Sequence, residues 1–253
     1  MNNKDPKYTQ YALAKEMLET ADIVRKFDIK AVDEVAANLK SKVLLSGEGS
    51  SRIFPAKNTL YNAYRKGYAQ QIFTEGATQA LEYKLADATV FVNSNSGKTK
   101  EGVRLIRKLR TEGHKSIVGV VSNAGTPIVD EADYGYVLTC GKENAVAASK
   151  SVVEQALFVD LVFRKANNCE MLDLQKLGDN IEEVLTMNAP EEIVKSLVPA
   201  PIFYFAGRNN GVAEELRLKT NEIARKKADY LEGTYAAHGI EEVMRVPEAI
   251  III

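Results

Sequence analysis

The chain has 253 residues, of which 45% are apolar and 26% are charged, and its formal net charge is −1. This composition is typical of an ordinary globular protein with one large or two small domains. The nearly neutral charge argues against a broad basic surface, so we expect no nucleic acid and no membrane as a partner. No apolar run approaches the ~20 residues that span a bilayer. The two cysteines lack a pairing or metal-ligand spacing, which favours a cytoplasmic location.

The first part of the chain alternates between strand and helix patterns. Apolar residues at helical spacing predict helices over residues 9–25 and 31–39. Short apolar runs then predict five strands, at residues 43–46, 68–73, 88–93, 117–121 and 134–138. The main predicted helices among and after them are residues 54–66, 99–111 and 146–165. This alternation predicts a doubly wound parallel sheet of the flavodoxin-like α/β type, with ligands at the carboxyl ends of the strands.

The pattern restarts after a helical linker over residues 172–197. A strand is predicted at 201–206, a glycine-containing turn at 207–211 and a long helix at 212–227. This order repeats that of residues 43–66, which indicates a pseudo-repeat. We therefore expect a first domain over residues 1–170 and a second over 171–253. The apolar run 249–253 predicts a buried strand with an exposed edge, so we expect an incomplete second unit and a natural chain that continues.

Residues 90–101 concentrate features that bind phosphate. An apolar strand ends in hydroxyl and amide side chains, and a helix follows whose first turn offers unpaired N–H groups and a positive dipole end. A nucleotide P-loop is excluded because the glycine that it needs five residues before Gly97 is Val92. The alternative is a ligand-free connection in which Thr99 caps the helix. The candidate ligands here are Ser94, Asn95, Ser96 and Thr99.

Two other turns follow predicted strands. Ser50 and Ser51 come after the first strand and offer hydroxyls beside the phosphate-binding candidates, although a simple tight turn explains them equally well. Arg52 excludes a dinucleotide fingerprint, which needs glycine or alanine at that position. The segment 141–150 follows the fifth strand, and its backbone either closes a sugar site or caps the next helix.

Three residues are candidates for acid–base chemistry. Lys219 and Glu222 are spaced i and i+3, so they share one helix face, as in a catalytic pair or a surface ion pair. His238 lies among small residues, an unusual setting for a solvated histidine. His114, in the turn between a predicted helix and strand, is interpreted as a surface residue.

These motifs together resemble the sugar isomerase (SIS) family. Residues 94–101, Ser-Asn-Ser-Gly-Lys-Thr-Lys-Glu, are similar to the family's S-x-S-G-x-T-x-E signature, and Gly49-Ser50-Ser51 is similar to its G-[ST]-S turn. Residues 219–223, followed by His238-Gly239, resemble the K-x-x-E…HG-P segment of the isomerase domain of glucosamine-6-phosphate synthases and related phosphosugar isomerases and deaminases. The chain differs at Ala148, where a serine is frequent, at Ile240 in place of the proline, and at Tyr235, which is often acidic.

The resemblance implies tandem SIS units, each with a five-stranded parallel sheet, and a phosphosugar bound between them. It implies that Ser51, Ser94, Ser96 and Thr99 hold the phosphate and that the backbone around Val146 approaches the sugar.

The resemblance also implies roles for the acid–base candidates. Glu222 would move a proton between C1 and C2, Lys219 would stabilise the developing oxyanion, and His238 would open the sugar ring from the neighbouring subunit of a homodimer. No cofactor and no metal are implied.

The expected activity is therefore that of an aldose–ketose isomerase or an amino-sugar-6-phosphate deaminase/isomerase. Such an enzyme transfers a proton at C1/C2 of an open-chain sugar phosphate by acid–base chemistry. A fructosamine-6-phosphate deglycase and a non-catalytic phosphosugar sensor are the alternatives. Sensors usually carry a helix-turn-helix unit, for which the region before Val43 is too short and not basic enough.

Overall fold

The computed structural model of the chain describes residues 1–2 and 4–253. The strands are β1 (Lys42–Gly47), β2 (Gln71–Gly76), β3 (Ala88–Ser94), β4 (Ile117–Val121), β5 (Tyr134–Val137), β6 (Ile202–Gly207), β7 (Lys227–Glu232) and β8 (Ala249–Ile252). The helices are α1 (Pro6–Thr9), α2 (Ala12–Arg25), α3 (Asp33–Ala37), α4 (Ser50–Lys66), α5 (Ala77–Ala80), α6 (Lys100–Thr111), α7 (Pro127–Asp130), α8 (Lys150–Ala166), α9 (Leu174–Thr186), α10 (Glu191–Leu197) and α11 (Val212–Lys219). No helix within these described ranges is both long and apolar enough to cross a membrane.

Strands β1 to β5 form one parallel sheet in the order β2-β1-β3-β4-β5. This confirms the α/β class with a five-stranded parallel sheet. In the pairing of β1 with β3, Gly47 lies opposite Asn93, so the two strands end side by side. All neighbouring strands run in the same direction. The loops that follow their carboxyl ends therefore lie along one edge of the sheet.

Both faces of this sheet are covered, which explains the continuous apolar strands. Phe91 of β3 packs on one face with Phe158 and Phe163 of α8. Val92, the next residue, packs on the other face with Leu105 of α6. Successive side chains of a strand point to opposite faces, so a strand between two helical layers needs apolar residues at every position.

The second sheet has three parallel strands in the order β7-β6-β8. The apolar run at the end of the chain pairs with β6 as a parallel strand, and Phe203 lies opposite Ala249. Strand β7 was not predicted. Its residues Ala228 and Tyr230 pack in the core on one face of the second sheet, whereas Lys227 and Asp229 are exposed and Leu231 is buried on the other face.

The prediction of one helix over residues 212–227 was wrong. Helix α11 ends at Lys219, and a single π-helical turn, Thr220–Ala224, follows it. Arg225 then adopts a left-handed conformation with φ of 54°, which ends the helical segment before β7 begins. Sequence spacing missed this end because the charged residues 225–227, Arg-Lys-Lys, are equally compatible with the last turn of an exposed helix.

Smaller differences concern the element ends. The predicted strand 68–73 lies at Gln71–Gly76, and the helix predicted at 54–66 begins earlier, at Ser50. The helix predicted at 146–165 begins at Lys150, so residues 144–149 form an irregular loop. The helix predicted at 31–39 is a 3-10 turn, Ile29–Val32, followed by the short α3.

Candidate phosphate and acid–base site

A polar cavity of about 410 Å³ lies at the carboxyl edge of the five-stranded sheet. Loops that follow four of its strands, β1, β3, β4 and β5, contribute to the cavity. The lining residues are Ser51, Asn95, Ser96, Thr99, Ser122, Asn123, Lys142 and Glu143. The cavity therefore contains four of the residues that sequence reasoning assigned to the phosphosugar site.

The loop between β3 and α6 is held by its own hydroxyls. Ser94 is buried, and its Oγ lies 2.7 Å from the Oγ1 of Thr99 and accepts a hydrogen bond from the backbone N–H of Gly97 at 3.1 Å. Ser96 is exposed, and its Oγ accepts from the N–H of Lys98 at 3.2 Å. Ser94 thus shapes the loop from within, whereas Ser96 and Thr99 line the cavity.

Gly97 is required by both the conformation and the packing of this loop. Its φ is +69°, a region that residues with a Cβ rarely adopt. A Cβ at this position would lie 2.1 Å from the Oγ1 of Thr126, which is buried after β4. The loop after β4 also supports the phosphate-binding candidates, since the N–H of Ser122 donates to the carbonyl of Asn95 at 3.0 Å.

Two helix N-termini meet at the cavity. Ser51 lies in the first turn of α4, and Thr99 directly precedes α6. The amide of Asn93 donates to the carbonyl of Ser51 at 3.2 Å, which ties the start of α4 to the end of β3. Unpaired N–H groups and positive dipole ends at both helices favour an anion in the space between them.

Two of the acid–base candidates, Lys219 and Glu222, are connected to the residue beside this cavity through hydrogen bonds. The Nζ of Lys219 donates to the Oε2 of Glu222 at 3.1 Å and to the Oγ of Ser50 at 2.8 Å. It also lies 3.3 Å from the Oε1 of Glu215. Lys219 and Glu222 therefore share one side of their helical segment, and Lys219 connects them to the residue next to Ser51.

Glu222 lies beyond the last residue of α11. It belongs to the π-helical turn after α11, near the carboxyl end of the helical segment. His238 follows a 3-10 turn, Tyr235–Ala237, and is exposed, beyond strand β7. Val146 lies in the irregular loop before α8, and 92% of its surface is exposed.

The interpretation of His114 as a surface residue was wrong. His114 is buried, with its Nε2 2.9 Å from the carbonyl oxygen of Leu85, and its Nδ1 accepts a hydrogen bond from the N–H of Ser116. Burial lowers the pKa of His114 below its ordinary value, and the contact with Leu85 opposes that shift only in part. His114 therefore stabilises the turn before β4, at the amino edge of the sheet, which is opposite the edge that carries the cavity.

Sequence reasoning missed three carboxylates that hold the loop between β5 and α8. Glu154 is fully buried and accepts hydrogen bonds from Thr139 and Cys140. Glu16 of α2 accepts from the N–H groups of Asn144, at 2.5 Å, and Ala145. Their partners are distant in sequence or belong to irregular backbone, so no local pattern distinguishes these residues from surface acids.

The third carboxylate, Glu143, lines the cavity itself. Its oxygens accept hydrogen bonds from Asn95, Ser149 and Ser151. Burial acts to raise the pKa of Glu143, but the hydrogen bonds from Ser151 and Ser149 outweigh it, and the pKa lies below its ordinary value. The group therefore carries a negative charge at neutral pH.

Comparison with known proteins shows which family the five-stranded sheet belongs to. Residues 40–165, which contain the five-stranded sheet and helix α4 to most of α8, match the family model described as SIS domain. The chain belongs to the SIS domain family. A curated relative is the isomerizing glutamine–fructose-6-phosphate aminotransferase of Legionella pneumophila, which is 26% identical over 266 residues. That match covers 94% of this chain but 42% of the relative, so the SIS chain spans well under half of that protein.

Solved structures show the same fold. The tagatose-6-phosphate ketose/aldose isomerase of Escherichia coli superimposes with a TM-score of 0.78 at 15% identity, covering 96% of this chain and 73% of that one. The glucosamine-6-phosphate deaminase of Thermotoga maritima gives a TM-score of 0.74 at 17% identity, covering 96% and 76% respectively. The structural similarity to these two proteins therefore extends beyond residues 40–165, which the family model matches.

Proposed function

We propose that this SIS protein binds an open-chain sugar phosphate and transfers a proton between C1 and C2, as an aldose–ketose isomerase or an amino-sugar-phosphate deaminase/isomerase. The observation that carries the proposal is the cavity in which Ser51, Ser96 and Thr99 meet at two helix N-termini. Hydroxyls and free N–H groups are suitable donors for a phosphate, and the site needs no broad basic surface. The matched relatives whose names include sugar-phosphate isomerases and a deaminase support this substrate class.

In this proposal the phosphate anchors the substrate and the acid–base residues act at its other end. Glu222 removes a proton next to the carbonyl or imine and returns it to the neighbouring carbon. Lys219, held by Ser50 and two carboxylates, stabilises the negative charge that develops on the substrate oxygen. General acid–base catalysis of this kind contributes about 10²–10⁴-fold to the rate.

Ring opening is assigned to His238, because histidine is the side chain that most often serves as a general acid. Its position on an exposed segment after β7 suits a residue that acts on another protomer. We therefore propose a homodimer in which His238 reaches the neighbouring site. We also propose that β6 to β8 and α11 belong to a second SIS unit.

The experiment is a measurement of solvent deuterium uptake into C1 or C2 of hexose and hexosamine 6-phosphates. Glu222→Gln should lower the exchange rate at least 100-fold and change the affinity for the sugar phosphate less than threefold. Glu192→Gln, at an exposed position of α10, is the matched control and should behave as the wild type. A wild-type protein that binds the sugar phosphate but catalyses no exchange would be a sensor, and exchange retained by Glu222→Gln would assign the base elsewhere.

A further inference from the structure

The carboxylate of Glu143 is unexpected in a cavity that binds an anion. It lines the same cavity as Ser96 and Thr99, and its pKa is below the ordinary value. Among the described residues, no lysine, arginine or histidine forms a salt bridge with it. Its charge therefore repels a bound phosphate, and its presence has to be explained by geometry rather than by charge complementarity.

The hydrogen bonds of Glu143 join two parts of the cavity wall. Its Oε2 accepts from the Nδ2 of Asn95 at 2.9 Å, in the loop after β3, and also from the hydroxyl of Ser151. Its Oε1 accepts from the N–H of Ser149 at 2.8 Å and from the N–H of Ser151 at 3.2 Å. One side chain thus connects the phosphate-binding loop with the beginning of α8.

The segment 144–149 is held at its beginning by Glu16 and at its end by Glu143. The N–H groups of Asn144 and Ala145 bond to Glu16, whereas the N–H and hydroxyl of Ser149 bond to Glu143. An irregular segment without helix or strand hydrogen bonds depends on such contacts for a fixed position. The family resemblance implies that the backbone around Val146, within this segment, approaches the sugar.

We propose that Glu143 is a positioning residue that fixes the distance between the phosphate-binding loop and the sugar-facing segment 144–149. The inference rests on the proposed function and adds a residue to it. Glutamine at position 143 would keep one acceptor oxygen but replace the other with an NH₂ donor. That donor would face either Asn95 or the N–H groups of Ser149 and Ser151, so one of the two attachments would be lost.

The test compares two probes by titration calorimetry on the whole chain. Inorganic phosphate contacts the phosphate-binding loop alone, whereas fructose 6-phosphate also needs the sugar-facing segment. Glu143→Gln should weaken the binding of fructose 6-phosphate at least tenfold and change that of inorganic phosphate less than threefold. Glu154→Gln is the matched control, because Glu154 holds the same loop at Thr139 and Cys140 but does not line the cavity.

Two outcomes would overturn the positioning role. Tighter binding of both probes by Glu143→Gln would show that its charge alone matters. Equal weakening of both probes, matched by Glu154→Gln, would show a general structural role. Ser151→Ala is a milder second variant. Ser151 is buried, and its substitution by alanine removes one hydrogen-bond donor to Glu143. It should shift fructose 6-phosphate binding in the same direction, by about threefold.

The experiment also separates this inference from the proposed function. A wild-type protein that binds neither fructose 6-phosphate nor any other hexose or hexosamine 6-phosphate overturns both. Wild-type binding together with unchanged binding by Glu143→Gln overturns the role of Glu143 alone.

Discussion

The Nζ of Lys219 donates a hydrogen bond to the Oγ of Ser50 at 2.8 Å, although the two residues are 169 positions apart. This contact joins α11, beside the second sheet, to the first turn of α4, beside the first. Ser51, the next residue, lines the polar cavity at the carboxyl edge of the first sheet. In the proposed mechanism the hydrogen bond therefore sets the distance between the acid–base pair and the bound phosphate.

Removal of this hydrogen bond should impair turnover more than phosphate binding. Ser50→Ala leaves Lys219 paired with its two carboxylates but free to shift towards them. Because small misplacements of reacting groups are costly, we expect turnover to fall about tenfold while the affinity for inorganic phosphate changes less than threefold. Ser196→Ala, at an exposed serine of α10, is the control. Equal turnover in the two variants would contradict the role of the contact.

The Thr99 hydroxyl should be required for anion binding. Thr99→Val keeps the shape of the side chain but removes a donor that lines the cavity. A hydrogen bond to a charged group contributes about 1.5–3 kcal/mol, so phosphate affinity should fall about 10- to 150-fold in titration calorimetry. Thr111→Val, at the exposed end of the same helix, provides the comparison. Unaltered phosphate affinity in Thr99→Val would place the anion elsewhere.

Gly97→Ala should destabilise the protein more than Gly113→Ala. Both glycines have positive φ, +69° and +74°, so alanine is strained at both by about 1–2 kcal/mol. At Gly97 the new Cβ would also collide with Thr126, whereas at Gly113 nothing lies within 4 Å. We expect an additional loss of about 1–3 kcal/mol at Gly97, measured by urea unfolding. Equal losses would mean that the loop moves freely away from Thr126.

Burial of His114 should make the free energy of unfolding depend on pH. Its folded pKa lies below the unfolded value of 6.5, so the unfolded chain binds more protons as the pH falls. The contribution is complete above pH 6.5 and is lost as the pH falls towards the folded pKa. The limiting slope for one group is about 1.4 kcal/mol per pH unit. In urea unfolding between pH 7.5 and 5, His114→Gln should show a weaker pH dependence than the wild type. An equal slope would assign the effect to other groups.

The sequence could predict those parts of the protein that depend on neighbours in the chain. Strand β4 was predicted at its observed limits, Ile117–Val121, because a strand covered on both faces is apolar at every position. The loop from Ser94 to Thr99 could likewise be predicted from the sequence, because its hydroxyls and Gly97 form one turn from adjacent residues.

Tertiary structure decided what depends on contacts between distant residues. The polar and apolar residues of β7 fit an exposed helix as well as a strand, and pairing with β6 selects the strand. Glu143 and His114 look like surface residues in the sequence, since their partners Asn95 and Leu85 lie 48 and 29 positions away. A buried charge or imidazole is stable only when such partners surround it, and the chain brings them together only when it folds.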